Sequence, residues 1–197
     1  MSGDISKSEQ RTVRSVQVPS IKADALVLES TYGGKLHANR VAEEKRLIET
    51  LKRVTERGGH VLIPAFELGR AQEVVQIILA YKDELDVPVY VDGMVRTVCD
   101  AYGTFADILP KQMVRMAGDE HLFFRGKIRP VRSNQHRNEI GMSNEPLVVV
   151  ASSGMLTGGA SVGYAKYFAP DERNAILKTG YQDEEAPGRF RLSHVAR

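Results

Sequence analysis

A three-layer α/β fold, in which a twisted and mainly parallel sheet carries helices on both faces, is the architecture this sequence predicts. Two observations carry that expectation. Short β-branched runs alternate with long amphipathic stretches, and the unit of run, turn and amphipathic stretch occurs three times in succession. Strand–crossover–strand units strongly prefer right-handed parallel connection, so repeating the unit builds one sheet with helices packed across it. With 197 residues, 42% of them hydrophobic, the chain has enough apolar material for one such core.

The first apolar run is Ala25-Leu26-Val27-Leu28, which ends in the polar turn Glu29-Ser30-Thr31-Tyr32-Gly33-Gly34. That is the pattern of a buried strand delivering side chains to a sheet edge. A helix is expected over residues 39–57. Val41, Leu47, Ile48, Leu51 and Val54 share its apolar face, Glu43, Glu44, Lys45, Arg46, Glu49, Lys52 and Arg53 lie around the rest, and Gly58-Gly59 stops it. Val61-Leu62-Ile63-Pro64 is the next buried strand. Gly69 leads from it into a helix with Ala71, Val74, Val75, Ile78 and Leu79 inward. Pro88-Val89-Tyr90-Val91 is a third strand, followed after Asp92-Gly93 by a helix through Val95, Val98, Cys99, Tyr102 and Phe105.

Residues 110–144 break the rhythm with Pro, Gly, Asn and many charges, and are expected to be irregular with one or two short strands around residues 122–131. The run Leu147-Val148-Val149-Val150-Ala151 restores a buried strand. After the turn Ser152-Ser153-Gly154-Met155 a short helix is expected over residues 160–168, then a last strand over 175–179 and a polar tail.

Composition excludes several classes of protein. Lys and Arg number 27 against 25 Asp and Glu, a formal charge of +2, which rules out a histone-like polycation. One cysteine, Cys99, cannot make an internal disulfide or a cysteine zinc cluster. No apolar run approaches the roughly 20 residues that cross a bilayer, and the N-terminus lacks the apolar core of a signal peptide. The expected setting is the cytoplasm, with no membrane partner.

In an open parallel sheet, loops after the strands' carboxyl ends share one edge, so residues far apart in sequence meet there. Five such loops carry Glu29-Ser30-Thr31-Tyr32, Phe66-Glu67-Leu68-Gly69-Arg70, Asp92-Gly93-Met94, Ser152-Ser153-Gly154-Met155 and Gly180-Tyr181-Gln182. Hydroxyls, an arginine, a carboxylate and small residues at helix starts are the parts of an anion or phosphate site. A plainer reading stands beside it: these are ordinary turn and cap residues, Arg70 pairs with Glu67, and Asp92 caps the helix that Gly93 begins. The histidines His37, His60, His121, His136 and His194 are dispersed and do not point to a common metal. Cys99, on an apolar helix face, reads as a small core residue.

Between Lys111 and Asn138 stand seven basic residues (Lys111, Arg115, Arg125, Lys127, Arg129, Arg132 and Arg137) and two acids (Asp119 and Glu120). Beside Phe123-Phe124, such a strip suits a polyanion with stackable bases, or else a solvated edge whose phenylalanines are core.

Four strings, taken in order, resemble the β-CASP region of metallo-β-lactamase-fold nucleases, in the branch that includes the cleavage and polyadenylation specificity factor nuclease and its archaeal and bacterial relatives. They are Glu29-Ser30-Thr31-Tyr32-Gly33, the stretch from Gly59 through Pro64-Ala65-Phe66-Glu67-Leu68-Gly69-Arg70 to Glu73, Val91-Asp92-Gly93-Met94, and the stretch from Ala151 through Ser152-Ser153-Gly154-Met155 to Gly159. The resemblance implies a lactamase end and linker over residues 1–22, a β-CASP domain over 23–192 and a tail over 193–197. It further implies zinc-dependent RNA hydrolysis in a cleft shared with the metallo-β-lactamase domain of the same protein. By that likeness Asp4 is a metal ligand and Glu29 the catalytic acidic residue, while Arg70, Ser152, Gly154 and Met155 match cleft motifs. With the flanking Ser30, Thr31, Tyr32 and Ser153 and the basic residues Arg125, Lys127 and Arg129, these form the expected RNA-binding set.

The family's His-x-His-x-Asp-His cluster and its later Ser-(Gly/Ala)-His and His-Gly-Glu histidines have no counterpart in these 197 residues. Zinc is therefore expected in the full-length enzyme and not in this chain alone, because hydrolytic zinc sites usually take at least three protein ligands. The expected partners are RNA, the lactamase domain and a second copy of the chain. The rival expectation is a non-catalytic module that binds RNA or a partner, and behind it a mononucleotide-binding α/β domain with unrelated chemistry.

Overall fold

A computed structural model describes residues 3, 5–30, 33–34, 36 and 38–190. Asp4, Thr31, Tyr32, His37, Arg191, His194 and the expected tail over 193–197 lie outside the described residues. In chain order the elements are α1 (Arg40–Glu56), β1 (Val61–Pro64), α2 (Arg70–Ala80), β2 (Val89–Asp92), α3 (Met94–Thr104), a 3-10 turn (Ala106–Ile108), α4 (Lys111–Ala117), β3 (Ile128–Pro130), α5 (Asn134–Gly141), β4 (Val148–Ala151), α6 (Gly159–Phe168), β5 (Ala175–Ile176) and α7 (Pro187–Phe190). The five strands pair in the order β3-β2-β4-β1-β5, and every pairing is parallel.

Two cores sandwich the sheet, as the α/β expectation requires. Ile48, Leu51 and Val54 of α1, Val74, Val75 and Ile78 of α2, Val95 and Cys99 of α3 and Met113 of α4 pack with Val61, Ile63, Val89, Val91, Val148 and Val150 on one face. Ile140 of α5 and Ala160, Tyr164 and Phe168 of α6 pack with Leu62, Val149 and Ala151 on the other. Alternation along each strand produces this division, because successive side chains point to opposite faces and both faces are covered. Asn39 caps α1, its Oδ1 accepting from the Ala42 N–H at 3.1 Å.

Several expectations fail. Residues 25–28 do not form a strand of this sheet: Leu28 makes a lone bridge, Leu26 is 69% exposed, and Val27 and Leu28 are exposed as well. A short apolar run holds as a buried strand only where layers cover both its faces, and Val18 and Ile21 just before it are exposed too. Glu44, expected on the polar side of α1, is buried, whereas Val41 from its expected apolar face is exposed. Residues 110–144 carry one short strand, β3, inside the expected 122–131 window, but α4 and α5 stand where only irregular chain was expected, because they are too short and too charged to show a helical period. Ser133 caps α5 by accepting from the His136 N–H at 3.1 Å. The last strand stops at Ile176 rather than running to Thr179, and the polar tail contains α7.

Candidate nucleic-acid interface

The connections out of β1 and β4 run in opposite directions. From β1 the chain crosses through α2, on one face, to β2 beyond β4; from β4 it crosses through α6, on the other face, to β5 beyond β1. The connections after β1 and β4 thus leave for opposite faces of the sheet, which makes the carboxyl ends of these two strands the switch point where α/β sheets bind ligands.

Small residues bring four loops together there. The α-carbon of Gly154 lies so close to the β1 loop that an added Cβ would stand 2.9 Å from the Phe66 nitrogen, and a Cβ on Gly180 would stand 3.3 Å from the Phe66 ring. Gln182, buried, donates from Nε2 to the Gly154 carbonyl at 3.0 Å. Gly93 has a positive φ of 73°, and a Cβ there would meet Ser152 Oγ at 2.6 Å, so only glycine lets the β2 turn approach the β4 loop. Thus the Phe66, Asp92, Ser152 and Gly180 loops converge.

Much of the backbone donor capacity at this edge is already engaged. The Ala71 N–H donates to the Phe66 carbonyl, Ser161 N–H to the Ser152 carbonyl, Ser153 N–H to the Gly158 carbonyl, and Gly69 N–H to the Gln72 side chain. What the edge presents outward is side-chain chemistry: exposed Arg70 and Tyr181 on a groove of about 1100 Å³ beside β5, and Ser153, whose hydroxyl is bonded to Thr157 at 3.0 Å. No ion pair joins Arg70 to Glu67 among the described residues. Glu29 is half-buried and Ser30 exposed, in a turn where the Gly33 N–H donates to the Ser30 carbonyl at 2.8 Å.

Asp92 does more than cap a helix. Its fully buried carboxylate accepts from Arg137 Nε at 2.6 Å and Nη2 at 3.0 Å, from the Tyr164 hydroxyl at 3.0 Å and from the Gly93 N–H at 2.6 Å. The hydrogen bonds it donates to Asp92 raise the Arg137 guanidinium pKa, and burial raises that of Tyr164, so both stay proton donors to the carboxylate. One side chain therefore ties β2, α5 and α6 together at this edge of the sheet.

A second buried carboxylate escaped the sequence reading. Glu73, 1% exposed, accepts from the Arg11 N–H at 2.8 Å, the Thr12 N–H at 2.9 Å, the Thr12 hydroxyl at 2.7 Å and the Arg40 guanidinium. Arg11 and Arg40 both also bind Glu44, at 2.6 and 3.2 Å. This network docks the N-terminal loop on α1 and α2. The available signal was α2 itself: Gln72, Glu73 and Gln76 interrupt a helix apolar on nearly every side, where polar groups persist only if partnered.

The basic strip disperses. Arg125 and Lys127 lie before β3, at the amino end of the sheet, away from the converging loops. There Arg125 donates to the Met116 carbonyl and Lys127 pairs with Asp86. Arg129 is exposed on the edge strand β3. Phe123 is fully buried, so it presents no face to a base, and Phe124 stacks on His121 at 4.4 Å between ring centres. Burial pushes the Cys99 thiol up to about 12, which leaves it protonated and a poor nucleophile. Among the described residues no three His, Cys, Asp or Glu side chains stand close enough to hold a metal ion, so these residues by themselves do not fit a zinc site.

Comparison with known proteins follows the same line. The family model described as Beta-Casp domain matches residues 71–190. Over 195 residues the chain is 37% identical to transcription termination factor FttA of Pyrococcus abyssi, covering 96% of the chain and 30% of that protein. It is 34% identical to endoribonuclease ysh1 of Schizosaccharomyces pombe, covering 92% of the chain and 24% of that protein. It is likewise 34% identical to RNase aCSPSF2 of Saccharolobus solfataricus, covering 95% of the chain and 36% of that protein. The chain thus spans a quarter to a little over a third of the length of these relatives. No helix among the described residues is long and apolar enough to cross a membrane.

Proposed function

The chain belongs to the β-CASP family, and from that premise we propose that it forms one wall of the RNA cleft of a zinc-dependent, metallo-β-lactamase-fold ribonuclease acting in the cytoplasm. The observation that carries this reading is the convergence, at the switch point between β1 and β4, of the Phe66 to Arg70, Asp92 to Met94, Ser152 to Met155 and Gly180 to Gln182 loops. Two of the relatives carry a ribonuclease name, which supports RNA as the ligand.

In this reading Arg70 provides the positive charge for a phosphodiester, and Ser153 and Tyr181 the neutral hydroxyls beside it. Ser30, Ser152, Gly154 and Met155 complete the wall, and Glu29 is the acidic residue at the junction with the lactamase domain. Zinc would take Asp4 together with ligands beyond the described residues.

Two measurements test the proposal. Arg70→Gln is expected to weaken binding of a single-stranded oligoribonucleotide to the chain by about tenfold or more, the scale of one phosphate bonded to a charged donor. The purified chain with added zinc is expected to bind RNA without cleaving it. Unchanged affinity in the Arg70 variant would remove that residue from the wall, and zinc-dependent cleavage that persists through repeated purification would overturn the division of labour.

A further inference from the structure

A second groove, of about 510 Å³, lies between the N-terminal loop, α1, α2 and α4. Five cations line it, Arg11, Arg14, Arg40, Lys111 and Arg125, against the carboxylates of Glu9 and Glu44. Neutralisation is uneven. Arg11 and Arg40 are bound to Glu44, and Arg40 also to Glu73. Arg14, Lys111 and Arg125 have no carboxylate within ion-pair distance among the described residues.

Carbonyl oxygens hold two of the three: Arg14 donates to Leu109 at 3.4 Å and Arg125 to Met116. Arg125 Nε is buried and lacks an acceptor. Arg125, held by a neutral carbonyl, carries a charge that an anion in the groove would offset. In a chain whose formal charge is only +2, three unpaired cations on one trough are a local concentration of positive potential.

We infer that this groove is a second RNA-binding surface, outside the strand-end edge, in which Arg14, Lys111 and Arg125 hold successive phosphates of a single strand. The inference rests on the reading of the chain as part of a ribonuclease. A strand suits the site better than one small anion, because the cations come from three separate stretches and line an open trough. Among the described residues no aromatic or histidine ring lines it. The groove therefore positions the backbone and reads no base, since stacking platforms are what give single-strand sites their hold on bases. It also gives Arg125 a setting that sequence alone does not: fold neighbours Arg14 and Lys111, rather than sequence neighbours Lys127 and Arg129.

Fluorescence anisotropy on the 197-residue chain decides the matter, with a labelled oligoribonucleotide of mixed sequence and with oligouridine, between 50 and 200 mM salt. The double variant Arg14→Gln, Lys111→Gln changes two exposed side chains. It is expected to lower affinity about tenfold at 50 mM salt, equally for both RNAs. The slope of log K against log salt should fall by about 1.4, from roughly 0.7 for each single-strand phosphate that is no longer neutralised. Lys82→Gln with Lys166→Gln removes the same charge outside the groove and is expected to stay within about twofold of the parent. Equal losses in the two double variants, or full affinity in the groove variant, would overturn the groove and leave the cleft reading intact. No binding of either RNA at 50 mM salt would overturn both.

Discussion

Asp92 shows what a single side chain can organise. Buried charge is tolerated only with good geometry, and removing one partner of such a pair typically costs about 3 kcal/mol or more. Asp92→Asn is therefore expected to lower unfolding free energy by about 3 kcal/mol in urea titration; a loss below about 1 kcal/mol would mean that Arg137 and Tyr164 find other acceptors. His60 gives a pH signature. Burial holds its imidazole pKa below the ordinary 6.5 and it stacks on Phe168 at 4.9 Å, so the folded state prefers the neutral ring. The unfolded chain then binds the extra proton, and stability falls as pH drops through about 6.5. Thermal melts from pH 7.5 to 5.5 should show the parent losing more than His60→Gln, with parallel curves if the ring is indifferent to protonation. Asp92 is visible in the sequence as a carboxylate at a strand end, but its partners are not, because Arg137 and Tyr164 come from 45 and 72 residues away.

At the scale of elements, the parallel strands are legible in the sequence and the N-terminal docking is not. Val61 to Pro64 and Val148 to Ala151 are covered on both faces, and that demands unbroken apolar runs which stand out in any sequence. Glu44 and Glu73 look like ordinary helix-surface charges until Arg11, Thr12 and Arg40 are brought against them. The loop over residues 6–16 has its own short bonds, Gln10 N–H to the Val13 carbonyl and Val16 N–H to the Ser6 carbonyl, both at 2.8 Å. It buries little apolar surface, so polar contacts govern its attachment, and Glu73 is the acceptor for the Arg11 and Thr12 amides. Glu73→Gln keeps the shape and removes the charge that four donors share. Amide hydrogen exchange at Arg11 and Thr12 should then accelerate at least tenfold while β1 and β4 amides stay protected; unchanged exchange at both positions would show the loop held by something else.

Across the whole molecule, apolar side chains of the same kind have two different environments, and composition does not separate them. The segment Leu26-Val27-Leu28 and the strand Val148-Val149-Val150 read alike, which is why the sequence predicts a strand at both. Periodicity reports that a run is apolar, not what covers it. Val149 is fully buried between β4's neighbours and the α5 and α6 layer, while Leu26 and Leu28 are exposed. Stability should therefore be concentrated in the layered unit from α1 onward. Leu26→Ser with Leu28→Ser removes groups that this chain does not withdraw from water, so its melting temperature should move by no more than about 2 °C. Val149→Ser removes two methyl groups from a packed core and buries a hydroxyl, a loss of about 3 kcal/mol that in a chain of this size lowers the melting temperature by roughly 6–12 °C. If the two leucine changes destabilise as much as the single valine change, the N-terminal run is packed in solution and the layered unit alone does not account for the fold.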